Sequence, residues 1–328
     1  AEEFAVTHGI GYSRFTQRVA DIRSELIVFV TPADPVEVLH LRLTNLSERP
    51  RELDVTSYVE WLLGFAPDEH REFHKLFIET RADREKHTLY ARKYLWGFPD
   101  EQGRHNNSSW PYTAFMAVSE PLKSFDCDKE TFLGLYRNDD RPRAMEEPQL
   151  AGRTGRFGDA IAALQVQVRL LPGESHDLVF TLGAAEEGRE DADALVARYT
   201  DPQKSAEALE AVHAFWAPFM EREKVETPDE ALNFMTNTWL KYQAISCRLW
   251  GKSALYQVSA GYGFRDQLQD SLIFLPSVPE YTRKQLLLHA AQQFVEGDVL
   301  HWWFSIRGGG PRTNCSDDLL WLPFVLQV

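Results

Sequence analysis

The chain is 328 residues long, which sets two domains as the expectation. Hydrophobic residues make up 44% and charged residues 26%, so a disordered chain and a collagen-like fibre are excluded. The 49 acidic residues outweigh the 35 basic ones, and the net charge of −14 argues against non-specific binding to nucleic acid, whose phosphates need cations.

No apolar run reaches the roughly 18–20 residues that span a bilayer. The opening AEEFAVTHGIGY has neither the basic n-region nor the apolar h-region of a signal peptide. Cys127, Cys247 and Cys315 are far apart and form no CxxC pair. They read as small, reduced residues, with no disulfide framework or zinc site expected. Aromatic residues are 12% of the chain, with nine Trp, which suits a large core or a sugar-binding surface.

The first half reads as strands. Glu25–Val30, Val36–Leu43 and Leu53–Trp61 are rich in Val, Leu and Thr and are separated by Thr31-Pro32-Ala33-Asp34-Pro35 and by Asn45–Pro50. The pattern continues at Leu76–Thr80, Thr88–Lys93, Thr113–Ser119, Ala163–Leu171 and Asp177–Leu182. Short strands with such punctuation, and no helical crossovers between them, argue for an antiparallel sandwich. His8, His70, His74 and His105 fall in expected loops and read as surface residues.

The period changes after Gly183. Ala185–Asp193 is acidic and reads as a solvated connector. Leu209, Val212, Trp216 and Phe219 recur at helical spacing, as do Met235, Trp239, Tyr242, Ile245 and Leu249, and then Leu287, Ala290, Ala291 and Phe294. Buried helix faces account for these stripes more simply than ligand contacts do. Thr227-Pro228-Asp229-Glu230 reads as a helix start with Thr227 as N-cap. Strands followed by helices argue for two domains.

Three clusters in the helical half carry chemistry. In Gly261–Asp270, GYGFRDQLQD, two glycines precede an expected helix on which Asp266 and Asp270 share a face beside Arg265. The acids either favour the helix dipole or, with the guanidinium, form a polar floor for sugar hydroxyls. In Glu296–Trp303, EGDVLHWW, carboxylates lie next to paired Trp, a combination that bonds hydroxyls and stacks on pyranose faces. Core burial of the Trp pair is the competing reading. Glu296, Asp298 and His301 match no strong metal-ligand spacing, and no metal is expected. In Gly308–Trp321, GGGPRTNCSDDLLW, the glycines mark a loop without a phosphate-binding pattern, and Ser316 reads as N-cap of a further helix. There is no GxSxG elbow and no thiol nucleophile with a neighbouring His.

Taken in order, GYGFRDQLQD, EGDVLHWW and RTNCSDDLLWLP resemble glycoside hydrolase family 94, most closely the phosphorylase-like region of cyclic β-1,2-glucan synthases. HGIGYSRF (8–15), FVTPADPVEVLHLRL (29–43) and VTSYVEWLLG (55–64) are similar to the β-sandwich of that family, so the resemblance covers essentially the whole chain. It implies a galactose-mutarotase-like β-super-sandwich over 1–184, a linker with a helix over 185–224 and the first part of an (α/α)6 barrel over 225–328. It further implies inverting phosphorolysis of β-linked glucosides, with inorganic phosphate as co-substrate and no cofactor. Phosphate supplies the nucleophile, so one carboxylic acid suffices, unlike the two of the hydrolases.

By the same resemblance, Arg265, Asp266 and Asp270 hold the glucosyl unit, with Trp302, Trp303 and Asp318 beside them. The family's general acid lies in a later motif resembling Asp-Trp-Asn-Asp, which this sequence lacks, so the acid is expected beyond Val328 and the chain is expected to be an inactive fragment. Exposed apolar helix faces are expected, with poor solubility or pairing into a homodimer. The implied partners are a β-glucan oligosaccharide or disaccharide and phosphate. The implied setting is cytoplasmic, in a parent tied to the inner membrane. A non-catalytic carbohydrate-binding or scaffolding role on the same fold is the alternative. A hydrolase using Asp317 or Asp318 with a second carboxylate is a third reading.

Overall fold

In a computed structural model, residues 3–64, 75–94, 109–156, 158–186, 191–250, 261–303 and 309–328 are described. The first half contains β1 (Glu3–Gly9), β2 (Tyr12–Val19), β3 (Ile22–Val30), β4 (Val36–Asn45), β5 (Arg51–Glu60), β6 (Ile78–Asp83), β7 (Thr88–Lys93), β8 (Tyr112–Val118), β9 (Ser124–Asp128), β10 (Ala160–Leu170) and β11 (Ser175–Glu186). Eight strands form one antiparallel sheet in the order β1-β2-β3-β4-β11-β8-β7-β6, and three form a second in the order β5-β10-β9. The expected sandwich is therefore present, and β1, β2 and β9 are additions to the strands read from the sequence.

Alternation along β10 explains the layering. Ala162, Leu164, Val166, Val168 and Leu170 point into a core with Leu89, Met116, Leu178 and Phe180. Ile161 and Ala163 point the other way and are covered by Phe132, Ala144 and Leu150. Phe132 belongs to α1 (Lys129–Leu133), whose N-terminus is capped by the Asp128 carboxylate accepting from the Glu130 N–H. Past that cover the same face turns polar, and Gln167 and Arg169 are exposed.

The acidic connector is shorter than the sequence suggests. Strand β11 runs to Glu186, and α2 (Ala192–Tyr199) starts after Asp191, whose carboxylate accepts from the Asp193 N–H. Residues 187–190 lie outside the described residues. Helix α3 (Pro202–Glu221) buries Val212, Trp216 and Phe219, the stripe the helical spacing marked. Two compact units result, Ala1–Phe215 and Trp216–Val328.

After the end of α3, the second unit contains α4 (Glu230–Phe234), the π-helical turn Met235–Trp239, α5 (Leu240–Gln243) and the π-helical stretch Ala244–Trp250, with helical backbone at each junction. The N-cap is Asp229, not Thr227. The Asp229 carboxylate accepts from the Ala231 and Leu232 N–H groups, while the Thr227 hydroxyl accepts from the Asp229 N–H one step outside. Along this run Ile245 and Leu249 are buried but Met235 and Trp239 are exposed. After α6 (Phe264–Ser271) and a 3-10 turn at Leu272–Phe274 comes α7 (Pro279–Ala290). Its buried face carries Thr282 and His289, whereas Leu287 is exposed. In the run LLLHAA the leucines and alanines fall on every side and the buried residue is the polar His289, so apolar periodicity there did not select the correct face. The chain continues into α8 (Asp318–Gln327), which leaves Leu320, Phe324 and Leu326 exposed. No helix among the described residues is long and apolar enough to cross a membrane.

Candidate functional site

A two-residue ladder brings the three chemistry-bearing clusters together. β12 (Tyr262–Gly263) pairs antiparallel with β13 (Trp302–Trp303), with Tyr262 opposite Trp303 and Gly263 opposite Trp302. The Phe264 N–H donates to the His301 carbonyl at 3.0 Å, and the His301 N–H donates to the Pro311 carbonyl at 3.0 Å. Segments 262–264, 300–303 and 310–312 thus lie side by side. Glycine makes the approach feasible. A Cβ on Gly310 would sit 1.8 Å from the Trp302 carbonyl oxygen, and one on Gly261 would sit 2.9 Å from that of Trp303. Gly308 lies outside the described residues, as do His70, His74 and His105. His8 is exposed, but in strand β1 rather than a loop.

Helix α6 starts at this ladder, with Gly263 as N-cap, and carries Arg265 and Asp266 exposed in its first turn. An acid there is favoured by the helix dipole. Arg265 reaches the start of α8, its Nη1 lying 3.3 Å from Asp317 Oδ2 and its guanidinium 5.5 Å over the Trp321 ring. The Trp321 indole Nε1–H donates to Asp317 Oδ2 at 3.3 Å, and the Cys315 thiol donates to Asp317 Oδ1 at 3.2 Å. These two hydrogen bonds, with the Arg265 charge, hold the Asp317 carboxyl below its usual range. The same carboxylate, with partial burial, pushes the Cys315 thiol up, so it stays protonated at neutral pH.

Ser316 does not cap α8. Asp317 holds the N-cap position in helical backbone with no side-chain cap bond, because its carboxylate is turned to Arg265 and Trp321. Asp318, next in the chain, is buried at 3% exposure. Its Oδ2 accepts from His301 Nδ1 at 2.6 Å. Its Oδ1 is buried with no partner among the described residues.

Asp270 lies one turn along α6 from Asp266 and pairs with a different cation. Arg248 Nε donates to Asp270 Oδ2 at 2.5 Å. Gln267, fully buried between them on the helix, donates to the Arg248 carbonyl at 3.0 Å and ties α6 to the π-helical stretch. The two Trp differ. Trp303 is 3% exposed and packs against Tyr262, Phe264 and His289, the last with ring centroids 5.0 Å apart. Trp302 is half-buried.

The metal-like residues resolve into pairs. Arg312 grips Asp298 with two hydrogen bonds and reaches Glu296 at 3.3 Å, so these carboxylates do not face His301. His301, Cys315 and Asp318 bring donor atoms within 4.8 Å of one another. His301 is bonded to Asp318 through one oxygen, and the Cys315 thiol donates to Asp317, so this set reads as a hydrogen-bond network. Sequence reasoning missed Arg248 and the Arg265–Asp317 pairing, because no local pattern reports partners so far apart in the chain.

Comparison with known proteins accounts for both units. Residues 1–202 match the glycosyl hydrolase 94 supersandwich domain, and residues 215–326 match the glycosyl hydrolase 94 superfamily catalytic domain. The chain is 38% identical to cyclic beta-(1,2)-glucan synthase NdvB of Rhizobium meliloti over 321 residues, covering 97% of this chain and 11% of that protein. It is 28% identical to solabiose phosphorylase of Paenibacillus borealis, covering 93% of this chain and 37% of that one. With N,N'-diacetylchitobiose phosphorylase of Vibrio proteolyticus it shares 25% identity over 98% of this chain and 42% of that one. The chain therefore spans less than half the length of these relatives. In fold it is similar to a bacterial glucoamylase solved with acarbose, at TM-score 0.64 and 10% identity, over 99% of this chain and 47% of that one. Sandwich and helical unit thus point to the same relatives, and the chain belongs to glycoside hydrolase family 94.

Proposed function

We propose that this chain supplies the glucosyl-recognition part of an enzyme of the inverting glycoside phosphorylase and cyclic β-1,2-glucan synthase type. It acts on β-linked glucosides, with the glucosyl unit passing to phosphate. Arg265, Asp266 and Asp270 bond the hydroxyls of that unit. Trp302 offers it a partly exposed ring face, while buried Trp303 and Asp318 support the site from below. The observation that carries this reading is the ladder that sets Arg265 and Asp266 at an exposed helix start beside Trp302 and Asp317. The relatives that are phosphorylases or a glucan synthase support the same reaction class.

In such a reaction phosphate attacks the anomeric carbon, and one carboxylic acid gives its proton to the departing oxygen. Asp317 is unsuited to be that acid, because its hydrogen bonds hold it ionised. Asp317 is therefore assigned binding rather than proton transfer.

The test is phosphorolysis by the full-length protein, measured as release of α-glucose 1-phosphate from β-linked glucobioses. Arg265→Ala and Asp270→Asn are expected to lower kcat/KM roughly 10- to 100-fold, the range for losing a hydrogen bond to a charged group. Turnover unaffected by both changes would remove the assignment. Glucoside binding without turnover in the unsubstituted protein would favour a carbohydrate-binding role.

A further inference from the structure

We infer that His301, oriented by buried Asp318, is a further sugar-binding residue of this site. Its Nε2 accepts a hydrogen bond from a hydroxyl of the bound glycosyl unit. This rests on the reading of the site as a glucosyl-binding one and adds a residue and a direction of hydrogen bonding to it.

The argument starts from the two consecutive acids at the head of α8. They face different partners: Asp317 faces Arg265 at the surface, and Asp318 faces His301 from inside. The Asp318 side chain is 4% exposed, while that of His301 is 43% exposed. A carboxylate so buried has little surface to offer a ligand, whereas the imidazole it holds is open to one. Asp318 is therefore a positioning residue.

Hydrogen-bond chemistry then fixes the ring. A carboxylate only accepts, so the 2.6 Å contact with Nδ1 puts the imidazole proton on Nδ1. In the neutral imidazole Nε2 is then an acceptor, with no hydrogen bond to another described residue. The natural complement of such an acceptor on a sugar is a hydroxyl proton.

The backbone fixes where the ring stands. The His301 carbonyl accepts from the Phe264 N–H and its own N–H donates to the Pro311 carbonyl, so the residue is clamped on both sides. Phe264 is the neighbour of Arg265, so His301 stands at the residues assigned to the glucosyl unit. Two nearby carboxylates that could compete for the ring, Glu296 and Asp298, are engaged by Arg312.

Asp318→Asn tests this in the full-length protein. The replacement keeps the shape, but its amide can donate to Nδ1 and so drives the imidazole proton to Nε2. The acceptor becomes a donor, the tautomer reversal seen when a triad aspartate is made asparagine. The ring nitrogens of 15N-histidine-labelled protein report the reversal. The binding readout is KM and Kd for a β-glucoside and its mono-deoxy analogues.

The expected result is a reversed ring, KM raised roughly tenfold with kcat changed much less, and one deoxy position that weakens binding in the unsubstituted protein but not in the variant. His301→Gln, which keeps an acceptor amide, is expected to retain part of the affinity. A reversed ring with unchanged KM and Kd overturns the inference. Failure of the unsubstituted protein to bind any β-glucoside would instead sink the parent reading of the site.

Discussion

Arg265 and Asp317 face each other at 3.3 Å, one in the first turn of α6 and the other at the head of α8, with the Trp321 ring beneath the guanidinium. Both side chains are about half exposed, at 52% and 42%. A pair this exposed contributes little to stability. What it does is aim a guanidinium and keep a carboxylate ionised beside the face proposed to bind sugar.

Replacing Arg265 by Lys separates these roles. Lysine keeps the charge but loses the planar fork and its stacking on Trp321. Thermal stability is expected to stay within about 0.5 kcal/mol of the parent, as for ordinary surface changes. Glucoside affinity is expected to fall roughly tenfold. Calorimetry and a binding titration on one sample check both.

His289 gives the second unit an acid-sensitive point. It is buried against Phe264 and Trp303, and its Nδ1 donates to the Gln285 carbonyl at 2.7 Å. Two carbonyls near the ring favour its cation, but burial outweighs them and pushes the pKa down from 6.5 to about 4. The unfolded chain therefore binds the extra proton first. The contribution to stability is complete above about pH 6.5 and is lost as pH falls towards 4, by about 3 kcal/mol in all. Urea unfolding at several pH values should show that slope, and His289→Gln should flatten it.

Gly310 tests the ladder without touching a charged group. A methyl group there meets the Trp302 carbonyl oxygen at 1.8 Å, a backbone atom that has no rotamer by which to move away. Gly310→Ala is expected to destabilise the unit by about 1–3 kcal/mol, the usual cost of overpacking. Glucoside binding should weaken as the segments beside Gly261 and His301 separate. A variant as stable as the parent and equally good at binding would show that the three segments need not lie so close.

The thiols are expected to react in a fixed order. Cys127 is 4% exposed and burial pushes its thiol up to about 12, so neither access nor thiolate is available. Cys247 and Cys315 are partly exposed. Titration with a chromogenic disulfide should show Cys247 reacting first, Cys315 more slowly because Asp317 keeps its thiol protonated, and Cys127 only on unfolding.

The sandwich was legible where burial follows the strand period. β4 and β10 show this, with Val36 and Val38 buried in the first and Val166, Val168 and Leu170 buried in the second between exposed Gln167 and Arg169. β1 and β2 escaped because β1 is almost wholly exposed and β2 buries none of its residues, so neither shows a contrast of faces. β9 escaped because its buried residues include Ser124 and Asp126, polar groups satisfied by Gln165 and by backbone N–H groups. At the site, Arg265, Asp266 and Asp270 announced themselves by spacing. Their partners Asp317 and Arg248 did not, because pairing between helices is set by tertiary packing and leaves no periodic trace.

The strand order has a consequence for how the chain comes to be folded. β4 finds its second neighbour only in β11, and β5 finds its neighbour only in β10, more than a hundred residues later. During synthesis the early hairpins therefore wait with open edges until residues near Glu186 have left the ribosome. Such non-local closure is slow and exposes unpaired strands to other chains meanwhile. The step at which this protein is most vulnerable to misassembly is thus the arrival of the β10–β11 pair, which completes both sheets at once.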